Sequence, residues 1–307
     1  MKRIIIIAGP TAVGKTDFSI GVAEHFNGEI VSADSMQIYK FMNIGSAKPT
    51  DEEQSRVKHY LVDGVDPRDE YSAAMYCEHA KKAIDHIFSL GKQPVISGGT
   101  GLYINTLLYD MDFSSVPNNK DLRLELEKMA ELKGNEYVFD ELKKIDPEAA
   151  STMHANNLKR VIRALEVNRI TGKNMASFKR DPIKTKDYDV DFICLNRDRD
   201  ELYDRINRRV DIMINEGLIE EVEGLLKMGL HRNHVSMQGI GYKEVIDFLD
   251  GVYSKDRMVE LIKRNSRHYA KRQLTWFKRY DEAKWLNLTP YGTNKEKALN
   301  ALLEKLT

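Results

Sequence analysis

Gly9, Pro10, Thr11, Ala12, Val13, Gly14, Lys15 and Thr16 fit the pattern GxxxxGK[ST], a spacing suited to cradling phosphate. In such a loop successive backbone N–H groups and a helix N-terminus converge on an anion, and the lysine adds a positive charge. The Thr16 hydroxyl is placed to hold Mg²⁺ against a phosphate oxygen. A diphosphate or triphosphate is the expected guest. Asp34 follows a short apolar run by two residues, where its carboxylate could ligate the metal or take a proton from a nucleophile. A salt-bridging loop aspartate is the plain alternative. Arg209, within Arg205-Ile206-Asn207-Arg208-Arg209-Val210-Asp211 on a helix whose buried stripe is expected to be Ile206, Val210 and Met213, is a candidate phosphate clamp, although one arginine on a helix is more often a solvated charge.

These residues need elements to position them. Residues 3–8 are a β-branched run that reads as a buried strand, and 16–26 read as the helix that follows the loop, with Asn27-Gly28 as its stop. A second strand over 29–32 puts Asp34 at a strand's C-terminal end, where parallel sheets bind their ligands. Ser72 caps a helix running to about Leu90 and stopping at Gly91. A strand over 94–97, the turn Gly98-Gly99-Thr100-Gly101 and an apolar helix over 102–108 continue the alternation. Strands alternating with helices indicate a parallel α/β sheet.

Between about Ser114 and Asp187 the pattern turns helical without a clear strand, over 121–132, 137–145 and 158–170. The sheet resumes over 190–195, with a late strand over 284–288. The expected organisation is a catalytic core over 1–115 and 186–307 interrupted by a helical insertion over 116–185, with Pro117-Asn118-Asn119 and Asp181-Pro182 as hinges.

With 307 residues, 42% hydrophobic and 31% charged, the chain reads as a soluble protein with a sizeable core. No apolar run approaches the roughly 18 residues of a membrane span, and the N-terminal isoleucines read as a strand rather than a leader. Cys77 and Cys194 have no CxxC spacing and read as two buried thiols of a cytoplasmic protein. His154 and His268 lack ligand pairing and read as structural.

The formal net charge is zero, yet the charge is segregated. Lys159, Arg160, Arg163, Arg169, Lys173, Lys179 and Arg180 have Glu166 alone among them, and residues 257–279 hold eight basic residues against Glu260. In the later segment Ile262, Tyr269 and Trp276 recur every seven residues. That face reads as partly core, leaving Lys263, Arg264, Arg267, Lys271 and Arg272 for a phosphodiester backbone, with a solvated helix face as the alternative.

Seven ordered blocks together resemble the bacterial tRNA isopentenyltransferase (tRNA dimethylallyltransferase) family. They are the phosphate loop, Val31-Ser32-Ala33-Asp34-Ser35-Met36-Gln37-Ile38-Tyr39, Met42-Asn43-Ile44-Gly45-Ser46-Ala47-Lys48-Pro49, Gly98-Gly99-Thr100-Gly101-Leu102-Tyr103, Arg160-Val161-Ile162-Arg163-Ala164-Leu165-Glu166-Val167, Gln238-Gly239-Ile240-Gly241-Tyr242-Lys243 and Lys271-Arg272-Gln273-Leu274-Thr275-Trp276-Phe277. The likeness covers nearly the whole chain. It implies a P-loop NTPase-like parallel sheet flanked by helices, with an inserted all-helical subdomain.

The resemblance further implies transfer of a dimethylallyl group from dimethylallyl diphosphate to the exocyclic N6 amine of adenosine 37, in tRNAs reading codons that begin with U. Diphosphate leaves, with Mg²⁺ as cofactor and the tRNA anticodon stem-loop as partner of a cytoplasmic monomer. Gly9 through Thr16 would hold diphosphate or, as a mimic, ATP. Lys15, Thr16 and Arg209 would clamp the leaving group, and Asp34 would be the base. Contacts to tRNA fall on Asp34, Ser35, Met36, Gln37, Thr100, Arg123, Lys159, Arg160, Val161, Ile162, Arg163, Gln238, Gly239, Ile240, Gly241, Tyr242, Lys243 and the helix from Lys271 and Arg272 to Lys278. A zinc finger found in eukaryotic relatives has no counterpart here. Three readings compete with this one: a P-loop small-molecule kinase, an adenylate isopentenyltransferase, and an RNA-binding protein with a vestigial loop.

Overall fold

Ile4, Ile5, Ile6 and Ile7 are wholly buried, as a strand covered on both faces and paired on both edges should be. In the computed structural model that strand, β1 (Lys2–Ala8), is flanked by β4 (Gln93–Gly98) and β5 (Tyr188–Asn196), in parallel registers that set Ile5 beside Val95 and Ile7 beside Ile193. The structure describes residues 2–111, 119–172, 174 and 183–306. The expected hinge residues Pro117, Asn118, Asp181 and Pro182, and the basic residues Lys173, Lys179 and Arg180, lie outside the described residues.

The sheet has six strands in the order β3-β2-β4-β1-β5-β6, with β2 at Gly28–Ser32, β3 at His59–Tyr60 and β6 at Lys284–Asn287; every pairing is parallel. The α/β parallel sheet expected from the sequence is therefore present. The helices in chain order are α1 (Lys15–His25), α2 (Asp51–Arg56), α3 (Ala73–Ser89), α4 (Gly101–Leu108), α5 (Lys120–Lys133), α6 (Asn135–Ile145), α7 (Pro147–Ser151), α8 (Leu158–Thr171), α9 (Arg199–Asn215), α10 (Leu218–Lys227), α11 (Tyr242–Leu249), α12 (Lys255–Phe277) and α13 (Lys295–Leu303). One face of the sheet packs Ile5, Ile7, Val95 and Leu195 against Phe18 and Val22 of α1, Leu202 and Ile206 of α9, and Leu302 of α13.

Two compact units divide the chain, one formed by Met1–Leu108 with Thr185–Thr307 and the other by Tyr109–Lys184. The second has its own core, in which Leu126, Val138, Leu142, Val161 and Leu165 from α5, α6 and α8 pack together.

Three details differ from the sequence reading. Cys77 is only half-buried, and its thiol donates to the Thr106 carbonyl at 3.5 Å; Cys194 is buried, and both are free. Met213 does not continue the buried stripe of Ile206 and Val210 but is partly exposed beside the phosphate loop. Lys263 and Arg267 are not left for a polyanion: Lys263 pairs with Asp211 at 2.6 Å and Arg267 donates to Asn207 at 2.5 Å, tying α12 to α9.

Candidate active site

The phosphate loop crosses from the end of β1 to α1 through positive φ values at Gly9 (154°), Ala12 (62°) and Gly14 (109°). A side chain at Gly9 would put Cβ 2.7 Å from the Leu195 carbonyl, so only glycine lets the loop leave the sheet there. Gly14 caps α1 without a side-chain hydrogen bond, which leaves the first-turn N–H groups for an anion. Two arginines brace the loop. Arg205 donates to the Ala12 carbonyl at 2.9 Å and Arg197 to the Val13 carbonyl at 3.0 Å.

Lys15 bends back onto its own loop, donating to the carbonyls of Gly9 at 3.1 Å and Pro10 at 2.9 Å. Burial pushes its ammonium down to about 8, against the attraction of Asp34 and helped by the repulsion of Arg209. Arg209 is lowered as well, first by burial, while Asp34 opposes the shift and Arg205 adds to it. Lys15, Asp34 and Arg209 are thus electrostatic neighbours, as motifs 175 residues apart (34 to 209) would have to be for one reaction. Asp34 is fixed by accepting the Met36 N–H at 2.9 Å on Oδ1.

Two adjoining cavities meet at these residues. One, of about 420 Å³, is lined by Gly14, Lys15, Thr16, Arg205, Arg208 and Gln273. The other, of about 330 Å³, is lined by Ser35, Met36, Gln238, Gly239, Ile240, Gly241, Lys243 and Arg272. Thr11, Ala12, Asp34, Ser46, Arg209 and Tyr269 line both. Asp34 therefore stands where an anion bound by the loop would meet whatever enters from the other side.

The Gly98-Gly99-Thr100-Gly101 turn holds this junction together by close backbone approach. A Cβ on Gly98 would sit 2.2 Å from the Ala33 carbonyl, on Gly99 2.2 Å from the Gln273 amide, and on Gly101 2.2 Å from the Trp276 ring. Thr100 accepts the Ser35 N–H at 3.0 Å. Gln273 bridges the turn to the phosphate loop, accepting the Thr11 N–H and donating to the Gly99 carbonyl, both at 2.9 Å.

Among residues expected to touch RNA, Ser35, Met36, Gln238, Gly239, Ile240, Gly241, Lys243 and Arg272 are brought together. Lys271 is exposed, and the Arg272 guanidinium stacks 5.6 Å from the Tyr269 ring. Tyr242 is wholly buried and donates to Glu221 at 2.9 Å, so its side chain acts through packing. Arg123, Lys159, Arg160, Val161, Ile162 and Arg163 belong to the helical unit. There Val161 and Ile162 face its core, while Lys159 and Arg160 are exposed. Arg123 and Arg163 both pair with the wholly buried Glu166, at 2.9 and 2.5 Å. Burial alone would raise that carboxyl, but hydrogen bonds from Arg123, the Asn119 N–H and Arg163 hold it below the usual range.

Sequence reasoning did not single out Arg197 or Arg205 as site residues, and it covered Gln273 only as a member of the Lys271 to Lys278 helix, not as a partner of the phosphate loop. Arg205 was within reach, since it lies one helical turn before Arg209 on the same face. The other two bond backbone atoms far away in sequence, and no local pattern marks that.

Fold and site define a phosphate-loop α/β enzyme in which two adjoining cavities share a carboxylate. The family model for IPP transferase matches residues 37–280, and the chain belongs to that family. It is 53% identical over 292 residues to a tRNA dimethylallyltransferase of Alkaliphilus oremlandii, covering 95% of this chain and 93% of the relative. It is also 53% identical over 293 residues to that of Clostridioides difficile, covering 95% and 94%. Among solved structures it is similar to the tRNA isopentenylpyrophosphate transferase of Bacillus halodurans, with TM-score 0.74, 42% identity and coverage of 100% and 97%. A eukaryotic dimethylallyltransferase captured acting on tRNA matches with TM-score 0.81 and 29% identity, covering 100% of this chain and 79% of that one.

Proposed function

We propose that this chain transfers a dimethylallyl group from dimethylallyl diphosphate to N6 of adenosine 37 in tRNAs reading codons that begin with U, working as a cytoplasmic monomer. The observation that carries this reading is the placement of Asp34 and Arg209 on the wall shared by the two cavities. The phosphate-loop amides, Lys15 and Arg209 take the diphosphate, stabilising charge that grows on it as the allylic carbon–oxygen bond breaks. Lys15 turns from its loop carbonyls to the anion, which restores its full ammonium charge.

The adenine amine is a weak nucleophile because its lone pair is shared with the ring. As its nitrogen bonds to the allylic carbon, Asp34 accepts its proton and the diphosphate departs with the electron pair of the broken bond. A stacked base cannot reach this point, so the nucleotide enters extruded through the cavity between Met36 and Arg272. Lys159, Arg160 and their neighbours in the helical unit take the anticodon stem.

Magnesium fits as a metal held chiefly by phosphate. Among the described residues no cluster of three or more His, Cys, Asp or Glu could hold a metal, whereas the Thr16 hydroxyl lines the anion cavity with Asp34 nearby. Bound there, it supplies further neutralisation of the leaving group.

The test is incubation with labelled dimethylallyl diphosphate and unmodified tRNA, followed by nucleoside analysis of the anticodon loop. Label on adenosine 37 that disappears with Lys15→Ala is the expected result. Phosphoryl transfer from ATP without label in RNA would point to a kinase, and label in free AMP alone to an adenylate prenyltransferase.

A further inference from the structure

We propose that Glu221 is a positioning residue for the tRNA acceptor, its carboxylate acting as the built-in anion that moulds the loop walling the acceptor cavity. The loop over residues 41–48 has no regular structure and carries two non-glycine residues in left-handed conformation, Phe41 (φ 65°) and Ala47 (φ 48°). Such a segment holds its shape only when its surroundings fix it. Internal bonds close two turns, from Ala47 N–H to the Ile44 carbonyl at 3.0 Å and from Lys48 N–H to the Asn43 carbonyl at 3.1 Å.

The amides of Asn43, Ile44 and Gly45 point outward at one spot, and Glu221 in the first turn of α10 fills it. Its Oε2 accepts from Asn43 at 2.7 Å and Ile44 at 2.8 Å, and its Oε1 accepts from Gly45 at 3.1 Å and the Tyr242 hydroxyl at 2.9 Å. Charge-assisted bonds of this kind are about twice as strong as neutral ones. Gly45 lies against the Tyr242 ring so closely that a Cβ would come within 2.6 Å of it. Gly45 and Ser46 line the acceptor cavity, and the Ala47 carbonyl accepts from the Gln37 amide at 3.1 Å, three residues after Asp34. One carboxylate thus sets the cavity wall and, through Gln37, the segment that carries the base. Its hydrogen bonds go to Asn43, Ile44, Gly45 and Tyr242, and none goes to the phosphate loop.

The inference rests on reading this cavity as the entrance for tRNA. Glu221→Ala should lower kcat/KM for unmodified tRNA by about 100-fold and Glu221→Gln by about tenfold, with affinity for dimethylallyl diphosphate changed less than about threefold. Because Glu221 is only partly buried, acetate or formate added to Glu221→Ala should restore part of the tRNA activity by occupying the vacated amides, which no merely structural loss would allow. Wild-type efficiency in Glu221→Ala overturns the proposal, as does a joint loss of donor affinity and tRNA activity that acetate does not relieve. A wild-type protein that binds the donor but never labels tRNA overturns the acceptor reading itself.

Discussion

The duties proposed for Asp34 and Lys15 are opposite, and single substitutions separate them. Asp34→Ala removes the proposed proton acceptor and leaves the loop amides untouched, so turnover should fall at least about 100-fold while diphosphate affinity survives. Single-turnover assays beside equilibrium binding check this, and near-normal turnover would assign the base elsewhere. Lys15 predicts a pH dependence. Its ammonium sits at about 8 instead of 10.5, so across that window the unfolded chain binds more protons than the folded one, and ligand-free stability gains from this group as pH rises. A bound diphosphate favours the charged form, so binding near pH 8 should take up protons and weaken at higher pH. Calorimetry in buffers of differing ionisation enthalpy measures the uptake; none at that pH would remove Lys15 from the anion site. Both residues were legible in the sequence because contiguous motifs carry them. The roles of Gln273 and Glu221 were not, since each satisfies backbone groups of a distant segment and looks like any polar helix residue from its own neighbours.

At the scale of elements, the junction between the ends of β2 and β4 is where the fold sets the chemistry. A Cβ at Gly98 would meet the Ala33 carbonyl at 2.2 Å, and that carbonyl belongs to the residue before Asp34 and accepts the Thr100 N–H at 3.0 Å. Backbone must move to accept it, so Gly98→Ala should displace Asp34 and cut turnover by about 100-fold, with a smaller loss of diphosphate binding. Equal losses of both would show that the turn serves the loop rather than the base.

On α8, Lys159 and Arg160 are exposed, and Arg163 pairs with the buried Glu166. Lys159→Ala with Arg160→Ala should therefore weaken tRNA binding and reduce the salt slope by about two phosphate contacts, without disturbing the helical core. An unchanged slope returns that face to solvent. The strands and long helices were readable from periodicity. β3, two residues long, offered no pattern to read, and α2, with no buried residue, is marked only by the capping box of Thr50 and Glu53.

For the whole molecule, the decisive fact is how the chain leaves and rejoins the sheet. The Leu108 carbonyl accepts the Thr185 N–H at 2.9 Å, so the core's two chain ends lie side by side. Within the helical unit, Tyr109 and Lys184 form an antiparallel bridge, and Asp110 N–H donates to the Ile183 carbonyl at 2.8 Å. Each unit is thus closed at its own stem, and each buries its own core. Closing a short gap costs little chain entropy, because that cost grows only slowly with loop length. A variant in which a short Gly-Ser linker replaces residues 109–184 should unfold cooperatively and bind dimethylallyl diphosphate in a Lys15-dependent way. It should lose measurable prenylation of tRNA, because the basic face of α8 has gone while the reacting groups remain. Circular dichroism melts, donor binding and the labelling assay together decide the matter. A variant that folds and still prenylates tRNA at the full rate would move the anticodon grip onto the core, and one that cannot fold would show that the helical unit supports the sheet as well as the substrate.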